Sequence, residues 1–224
     1  MTPEARTRLA AGRLLTYPDE TLYAQLPLIR DVVAGLATPE PAAFLARADR
    51  ERPLDLAAHY TSVFDTRSRR CLYLTWWTDG DTRNRGLSLV RVKQTYRDHG
   101  WVPTEEELPD FLPVMLEFAA MEEQAGTALL QQHRAGLELL RIALAEHGTP
   151  YALLLRAVCA TLPGPSPATR AEAKALARTG PPRESVGLAA LDPLGARHPL
   201  EPLGPGVDLP WPVRRAATQE RTSA

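Results

Sequence analysis

Apolar residues recur three and four positions apart along most of this chain, and no stretch alternates convincingly with a period of two, so the pattern predicts packed amphipathic helices. Thr2 and Pro3 form an N-cap and first-turn pair, and Leu9 and Leu15 follow before Tyr17-Pro18 stops the helix. Asp19 caps a second helix with Leu22, Leu26, Ile29, Val33 and Leu36 on one face, and Pro27 is expected to kink or divide it. Pro39 starts a short helix reaching Arg50, and from Pro53 the residues Leu56, Tyr60, Val63 and Phe64 make a further stripe before a loop begins at Asp65. The stretch 65–81 contains Leu72, Tyr73, Trp76 and Trp77, which favour a strand, but a lone strand would lack a partner, so an aromatic-rich helix or loop is expected.

A helix follows from Thr82 to about Asp98, ended by His99-Gly100. Thr104 to Glu107 resembles a helix start interrupted at Leu108-Pro109, and Pro109 then opens a helix to Met121. Two long helices, Ala125 to His147 and Pro150 to Leu162, complete the core around the stop at Gly148.

Proline divides the chain. Residues 161–224 hold 11 of the 21 Pro and 6 of the 14 Gly, a low-complexity share, whereas the first 160 residues use both at ordinary frequency and are long enough to enclose one core. The expectation is therefore an all-α domain at 1–162 and a largely irregular or disordered tail at 163–224, in which Leu203, Val207, Leu209, Trp211 and Val213 alternate with Pro and Gly and could lie extended on the domain.

Charge and composition remove several functions. With 26 Lys+Arg against 27 Asp+Glu, no general field attracts nucleic acid or an anionic membrane. Glu4, Arg6 and Arg8 stand where a signal peptide would be apolar, so a cytoplasmic protein is expected. Cys71 and Cys159 form no CxxC pair, and the five histidines show no HExxH or i,i+4 pairing, so no metal site is expected. Asp79 to Asn84 looks briefly like a calcium loop, but Arg83 and Val90 fall at its fifth and twelfth positions, where oxygen ligands are needed. Glu105, Glu106, Glu107 and Asp110 could supply acid/base chemistry or simply favour a helix N-terminus.

Aromatic residues are concentrated instead. Tyr60, Phe64, Tyr73, Trp76, Trp77, Tyr96, Trp101, Phe111 and Phe118 are 9 of the 14 aromatics, within 59 residues. They form either an aromatic stretch of core or the walls of a groove for an amphipathic peptide. Adjacent Trp76 and Trp77 cannot both face inward on a helix.

Four blocks in order, Leu14-Leu15-Thr16-Tyr17-Pro18, Tyr60 to Asp65, Leu72 to Thr75 with Gly80 to Gly86, and Glu107 to Pro113 with Leu116-Glu117-Phe118, resemble the nitrate reductase molybdenum cofactor assembly chaperones, the NarJ branch of the TorD-like redox-enzyme maturation proteins. The resemblance runs from about residue 9 to 160. It implies a single helical bundle without chemistry of its own and without a stably bound cofactor. Such proteins bind the apo catalytic (alpha) subunit of respiratory nitrate reductase at its N-terminal segment. They hold it ready for insertion of the molybdenum cofactor and an iron–sulfur cluster, and delay docking to the membrane subunit. Molybdenum cofactor delivery proteins are further partners it suggests. Carried over by motif, the family's Asp/Arg block falls on Asp81, Arg83 and Arg85, and its acidic–proline block on Glu107, Pro109 and Asp110. Phe111 stands where related sulfoxide and amine-oxide reductase chaperones favour histidine, which supports the nitrate reductase branch.

The expected peptide site is thus Tyr60, Phe64, Tyr73, Trp76, Trp77 and Phe111 as walls, Asp81, Glu107 and Asp110 as an acidic rim, with Arg83, Arg85 and Pro109 beside them. Replacing Glu107 or Asp110 by Ala would then weaken peptide binding and leave the fold intact. Alternatively, Asp81 pairs with Arg83 or Arg85 and Pro109 only shapes a bend. Three other functions stay open at this point: a chaperone for a different molybdoenzyme, a helical adaptor, and a small helical enzyme using Glu107 and Asp110, the last requiring a deep pocket that perturbs a carboxylate.

Overall fold

The computed structural model describes residues 1–66, 70–103, 107–179 and 213–215. Among them are eleven α-helices: α1 (Pro3–Leu14), α2 (Glu20–Ala34), α3 (Glu40–Ala48), α4 (Pro53–Phe64), α5 (Leu74–Asp79), α6 (Arg83–Asp98), α7 (Leu112–Met121), α8 (Glu123–Gln132), α9 (Arg134–His147), α10 (Tyr151–Ala160) and α11 (Arg170–Thr179). The expected all-α bundle is the observed fold. Its only strands among the described residues are β1 (Trp101–Pro103) and β2 (Val213–Arg215), an antiparallel pair too short to leave a periodic signal.

Several helix ends follow local rules. Thr2 accepts from Ala5 N–H at 3.2 Å, Asp19 accepts from Leu22 N–H at 2.9 Å, and Gly148 closes α9 at φ 74, a left-handed conformation that glycine adopts without strain. α2 runs undivided through Pro27, so of the two expected outcomes, a kink or a division, the division does not occur. Pro27 faces solvent, so water can satisfy the carbonyl that its missing N–H leaves unpaired.

α1 lies against α7, α2 and α10. Ala5, Ala10, Ala11 and Gly12 keep its inner face small; a methyl group at Gly12 would lie 3.2 Å from Leu116 Cβ. Within this packing sits the buried Arg8. It donates to Ala119 O (3.2 Å), Thr127 Oγ1 (2.8 Å), Thr161 Oγ1 (3.0 Å) and Thr161 O (3.0 Å), which joins α1 to α7, α8 and the end of α10. A buried guanidinium is tolerated only when its N–H groups find acceptors in this way.

The long helix expected from Ala125 to His147 is two helices, α8 and α9, divided at His133. Each half makes a close approach to a different neighbour. A Cβ on Gly126 would fall 2.1 Å from Ala119 Cα of α7, and one on Gly136 would fall 2.9 Å from Leu74 O of α5. One straight helix would have to satisfy both approaches at once, and a break between them lets each half take its own direction.

Within 163–224, expected to be largely irregular or disordered, residues Arg170–Thr179 form α11. Ala173 is fully buried against Leu139 and Ile142 of α9, and Arg170 pairs with Glu146 at 2.6 Å. The preceding turn is pinned as well: the buried Glu138 accepts from Arg134 (3.0 Å), Arg141 (2.6 Å) and Ser166 (2.7 Å), while Arg134 also donates to Pro163 O at 2.9 Å. The tail residues Leu203, Val207, Leu209 and Trp211 lie outside the described residues, as do Glu105 and Glu106.

Candidate functional site

A cleft of about 410 Å³ opens where five segments meet: the end of α1, the start of α2, the end of α4, the loop preceding α5 and the loop preceding α7. Its aromatic surface comes from Tyr17, Tyr60, Phe64, Tyr73 and Phe111. The rings pack in sequence. Tyr17 meets Tyr60 edge-on at 5.6 Å, Tyr60 meets Phe64 at 4.8 Å, and Tyr73 meets Phe111 at 5.4 Å. Behind them Tyr151 contacts both Tyr60 and Phe64, so these rings are held from the core side. Tyr60 also donates its hydroxyl to Leu15 O at 3.2 Å, and burial raises its phenol above the ordinary range.

Among the described residues three carboxylates line the same cleft: Asp19, Asp65 and Glu107. Arg13 is the one cation in the lining among the described residues, and its Nη2 is paired with the buried Glu117 at 3.0 Å. Burial pushes the Glu117 carboxyl up to about 7 against the opposing pull of Arg13. Glu107 accepts from the Tyr73 hydroxyl at 2.9 Å; burial first, and then this bond, raise the Tyr73 phenol. Aromatic walls with three carboxylates can accept an apolar helix face that carries basic residues at its edge.

The wall containing Tyr73 and Phe111 exists because two loops pair. Tyr73 and Phe111 form an isolated antiparallel bridge, with Leu74 N–H donating to Asp110 O (3.1 Å) and Leu112 N–H to Leu72 O (2.8 Å). The short extended stretch before α5 therefore does have a partner, the stretch just before α7, and from Leu74 the chain is helical, in line with the expected helix or loop. The same pairing explains why α7 starts at Leu112 rather than Pro109: Phe111 is extended, at φ −63 and ψ 121.

Asp110 is not at a rim. It is 0% exposed, and its Oδ2 accepts from Thr75 N–H (3.1 Å) and Thr75 Oγ1 (2.6 Å), which supplies the cap that α5 lacks from its own sequence. Arg85 approaches the same oxygen at 3.9 Å and donates to Thr75 Oγ1 at 3.3 Å. Asp110, Thr75 and Arg85 thus form a buried latch behind the cleft wall. It joins α5, α6 and the loop before α7.

Of the twelve residues expected at the site, Tyr60, Phe64, Tyr73, Glu107 and Phe111 line the cleft. The other seven lie elsewhere. Arg85 and Asp110 belong to the latch. Trp76 stacks under Arg85 at 5.6 Å, and Trp77 packs against the core and donates to Cys71 O at 3.1 Å. Pro109 offers its carbonyl to the buried Tyr96 hydroxyl at 2.8 Å. Asp81 and Arg83 are exposed around the start of α6. Thr82 does not cap that helix; its hydroxyl donates to Asp79 O at 2.9 Å.

Tyr96, Trp101 and Phe118 form a separate, fully buried aromatic cluster, so the dense aromatic stretch supplies both core and cleft. Asp19, Asp65, Tyr17 and Arg13 also line the cleft without being expected there, although Tyr17 and Asp65 lie within two of the blocks that carry the resemblance. Glu107 and Asp110 do not converge on a common pocket, so the acid/base pair required by a helical enzyme is not formed.

Among the described residues no three His, Cys, Asp or Glu side chains come together as a metal site, and no helix is long and apolar enough to cross a membrane. The profile of a family described as nitrate reductase delta subunit matches residues 29–156. A Bacillus subtilis protein named "Probable nitrate reductase molybdenum cofactor assembly chaperone NarJ" is 35% identical over 158 residues, covering 68% of this chain and 86% of that protein. The Mycobacterium tuberculosis "Nitrate reductase-like protein NarX" is 43% identical over 158 residues, 67% of this chain, and this chain spans only 23% of its length. Among solved structures, a candidate redox enzyme maturation protein from Archaeoglobus fulgidus shares the fold, with a TM-score of 0.54 and 24% identity over 69% of this chain and 91% of that one.

Proposed function

Because the chain belongs to the nitrate reductase delta subunit family, we propose that it is a cytoplasmic assembly chaperone for respiratory nitrate reductase that acts by binding its client rather than by catalysis. The named NarJ relative supports the assembly role. In this proposal the cleft receives the N-terminal segment of the apo catalytic subunit as an amphipathic helix. The bound subunit is held open for insertion of molybdenum cofactor and an iron–sulfur cluster, and docking to the membrane subunit waits until both are in place.

One observation carries the proposal: five aromatic rings and three carboxylates face one open cleft. Such a surface favours an apolar helix face flanked by Lys or Arg, with an affinity of order micromolar, about −8 kcal/mol. Calorimetric titration of a synthetic peptide of the catalytic subunit's N-terminal segment tests it. Tyr17→Ala, which removes a half-exposed ring from the cleft mouth, should weaken binding by about tenfold, in line with the loss of one buried aromatic contact. Binding should also weaken as salt rises. Peptide affinity unchanged in Tyr17→Ala and in Phe111→Ala would remove the cleft as the binding site.

A further inference from the structure

The chain carries a formal charge of −1, yet α6 holds Arg83, Arg85, Arg91, Lys93 and Arg97 against Asp98 alone, five basic residues to one acidic. Arg85 is committed to the latch with Asp110. Arg83, Arg91, Lys93 and Arg97 form no ion pair among the described residues, and Asp98 instead accepts from Gln94 at 2.7 Å. Among the described residues α6 buries Val92 and Tyr96, which lie on one side of the helix.

On the uncovered side Arg83, Leu87, Val90, Gln94 and Arg97 follow the 4,3,4,3 spacing of a helix-pairing stripe. Its centre is apolar: Leu87 is 59% and Val90 66% exposed. At 1.5 Å per residue the stripe is about 21 Å long. Beside it Arg91, Ser88 and Val92 line a second cavity of about 590 Å³ that continues to Gln131, Gln132 and His133. An apolar centre closed at both ends by arginines, with a further unpaired arginine at the lip of a polar cavity, is the complement of an acidic surface with an apolar centre.

We propose that the α6 stripe is a second docking surface, which takes an acidic, apolar-centred face on the folded body of the client whose N-terminal segment occupies the cleft. This rests on the function proposed above. Charge complementarity selects the occupant, and proximity allows one client to reach both surfaces. α5, about 9 Å long at 1.5 Å per residue, separates Tyr73 in the cleft wall from the turn that leads into α6, and the Asp110–Thr75–Arg85 latch fixes α6 to that wall.

The test uses the full chain and the purified apo catalytic subunit, intact or lacking its N-terminal segment, with the synthetic N-terminal peptide as a third ligand. The expected result is that the truncated subunit still binds, that Arg83→Glu/Arg91→Glu/Arg97→Glu weakens this binding at least tenfold, and that Leu87→Asp weakens it similarly. The peptide's affinity should be unchanged in both variants. Far-ultraviolet circular dichroism and melting temperature establish that the variants are folded; the substituted residues are exposed, so both should match the parent chain.

Failure of the truncated subunit to bind, or binding indifferent to both α6 variants, would overturn the proposal while leaving the cleft reading intact. Failure of the peptide to bind would instead refute the cleft reading. Two controls decide against other occupants. Sedimentation of the chain with phosphatidylglycerol–phosphatidylcholine vesicles that the α6 variants abolish would assign the stripe to lipid, and a dimer of the parent chain that the variants dissociate would assign it to a second copy. Either result overturns the proposal.

Discussion

Glu107 and Asp110 are three residues apart and look equivalent in the sequence, so substituting each separates binding from stability. Asp110→Ala removes the acceptor for Thr75 N–H at 3.1 Å and for Thr75 Oγ1 at 2.6 Å, and leaves that N–H buried at the start of α5. Hydrogen bonds to a charged group contribute about 1.5–3 kcal/mol each. The Arg85 contact at 3.9 Å adds less than about 1 kcal/mol, because Arg85 is partly exposed. Against these losses, Asp110 Oδ1 is buried without a partner, and its removal relieves a desolvation cost of about 1–3 kcal/mol. The net destabilisation is about 2–4 kcal/mol. For a chain of this size that lowers the melting temperature by about 4–16 °C.

Glu107→Ala loses one bond, from a half-buried Tyr73 hydroxyl at 2.9 Å, at about 1 kcal/mol and about 2–4 °C. Thermal melts followed at 222 nm, paired with calorimetric titration of the client peptide, read both consequences. Asp110→Ala should melt markedly lower, and Glu107→Ala should melt nearly as the parent chain does while binding the peptide more weakly. An Asp110→Ala chain melting within about 2 °C of the parent would refute the latch.

Two further substitutions probe the packing and the buried charge. Gly126→Ala would place a methyl carbon 2.1 Å from Ala119 Cα, a backbone neighbour that cannot step aside, and should destabilise by about 3 kcal/mol or more in urea unfolding; a loss under about 1 kcal/mol would contradict the α7–α8 approach. Glu117, with its folded pKa raised to about 7 from the usual 4.5, favours the folded state below about pH 4.5, and that contribution is lost as pH rises through 7. Stability should therefore fall by about 3 kcal/mol from this group between those pH values, and Glu117→Gln should flatten that slope; an equal slope in both chains would remove Glu117 as its source.

The helices were legible because each repeats its signal over several turns. Thr2-Pro3, Asp19 and Gly148 mark ends by chemistry confined to three or four residues, and the caps at Thr2 and Asp19 are made as their types predict. What escaped depends on distance in sequence. Thr75 and Asp110 lie 35 positions apart, and nothing in either neighbourhood states that one caps the helix of the other. The sequence pattern therefore puts Asp110 at a rim along with Glu107, because a carboxylate in a loop has no local mark that separates a buried acceptor from an exposed one.

Asp19 illustrates the converse. Its role as a cap is plain from sequence, and that role concealed the fact that the same residue faces the cleft. The α8–α9 break was hidden because apolar spacing continues across His133 almost unchanged. Gly126 and Gly136 were the available signs, since two glycines ten positions apart within one expected helix are costly unless each permits a close approach. α11 was obscured by the Pro and Gly content of its surroundings, although residues 170–179 contain neither.

The Arg8 side chain also sets an order on synthesis. Its guanidinium is made early, and two of its hydrogen bonds end on Thr161, 153 positions later. At about 5–20 residues per second, roughly 8–30 s separate the two ends of that contact on the ribosome. Through that interval α1 carries a charge that its own neighbours cannot satisfy, which opposes burial of the helix in a partial bundle. The nascent chain therefore completes the packing of α1, the helix whose end borders the cleft, only once the end of α10 has emerged.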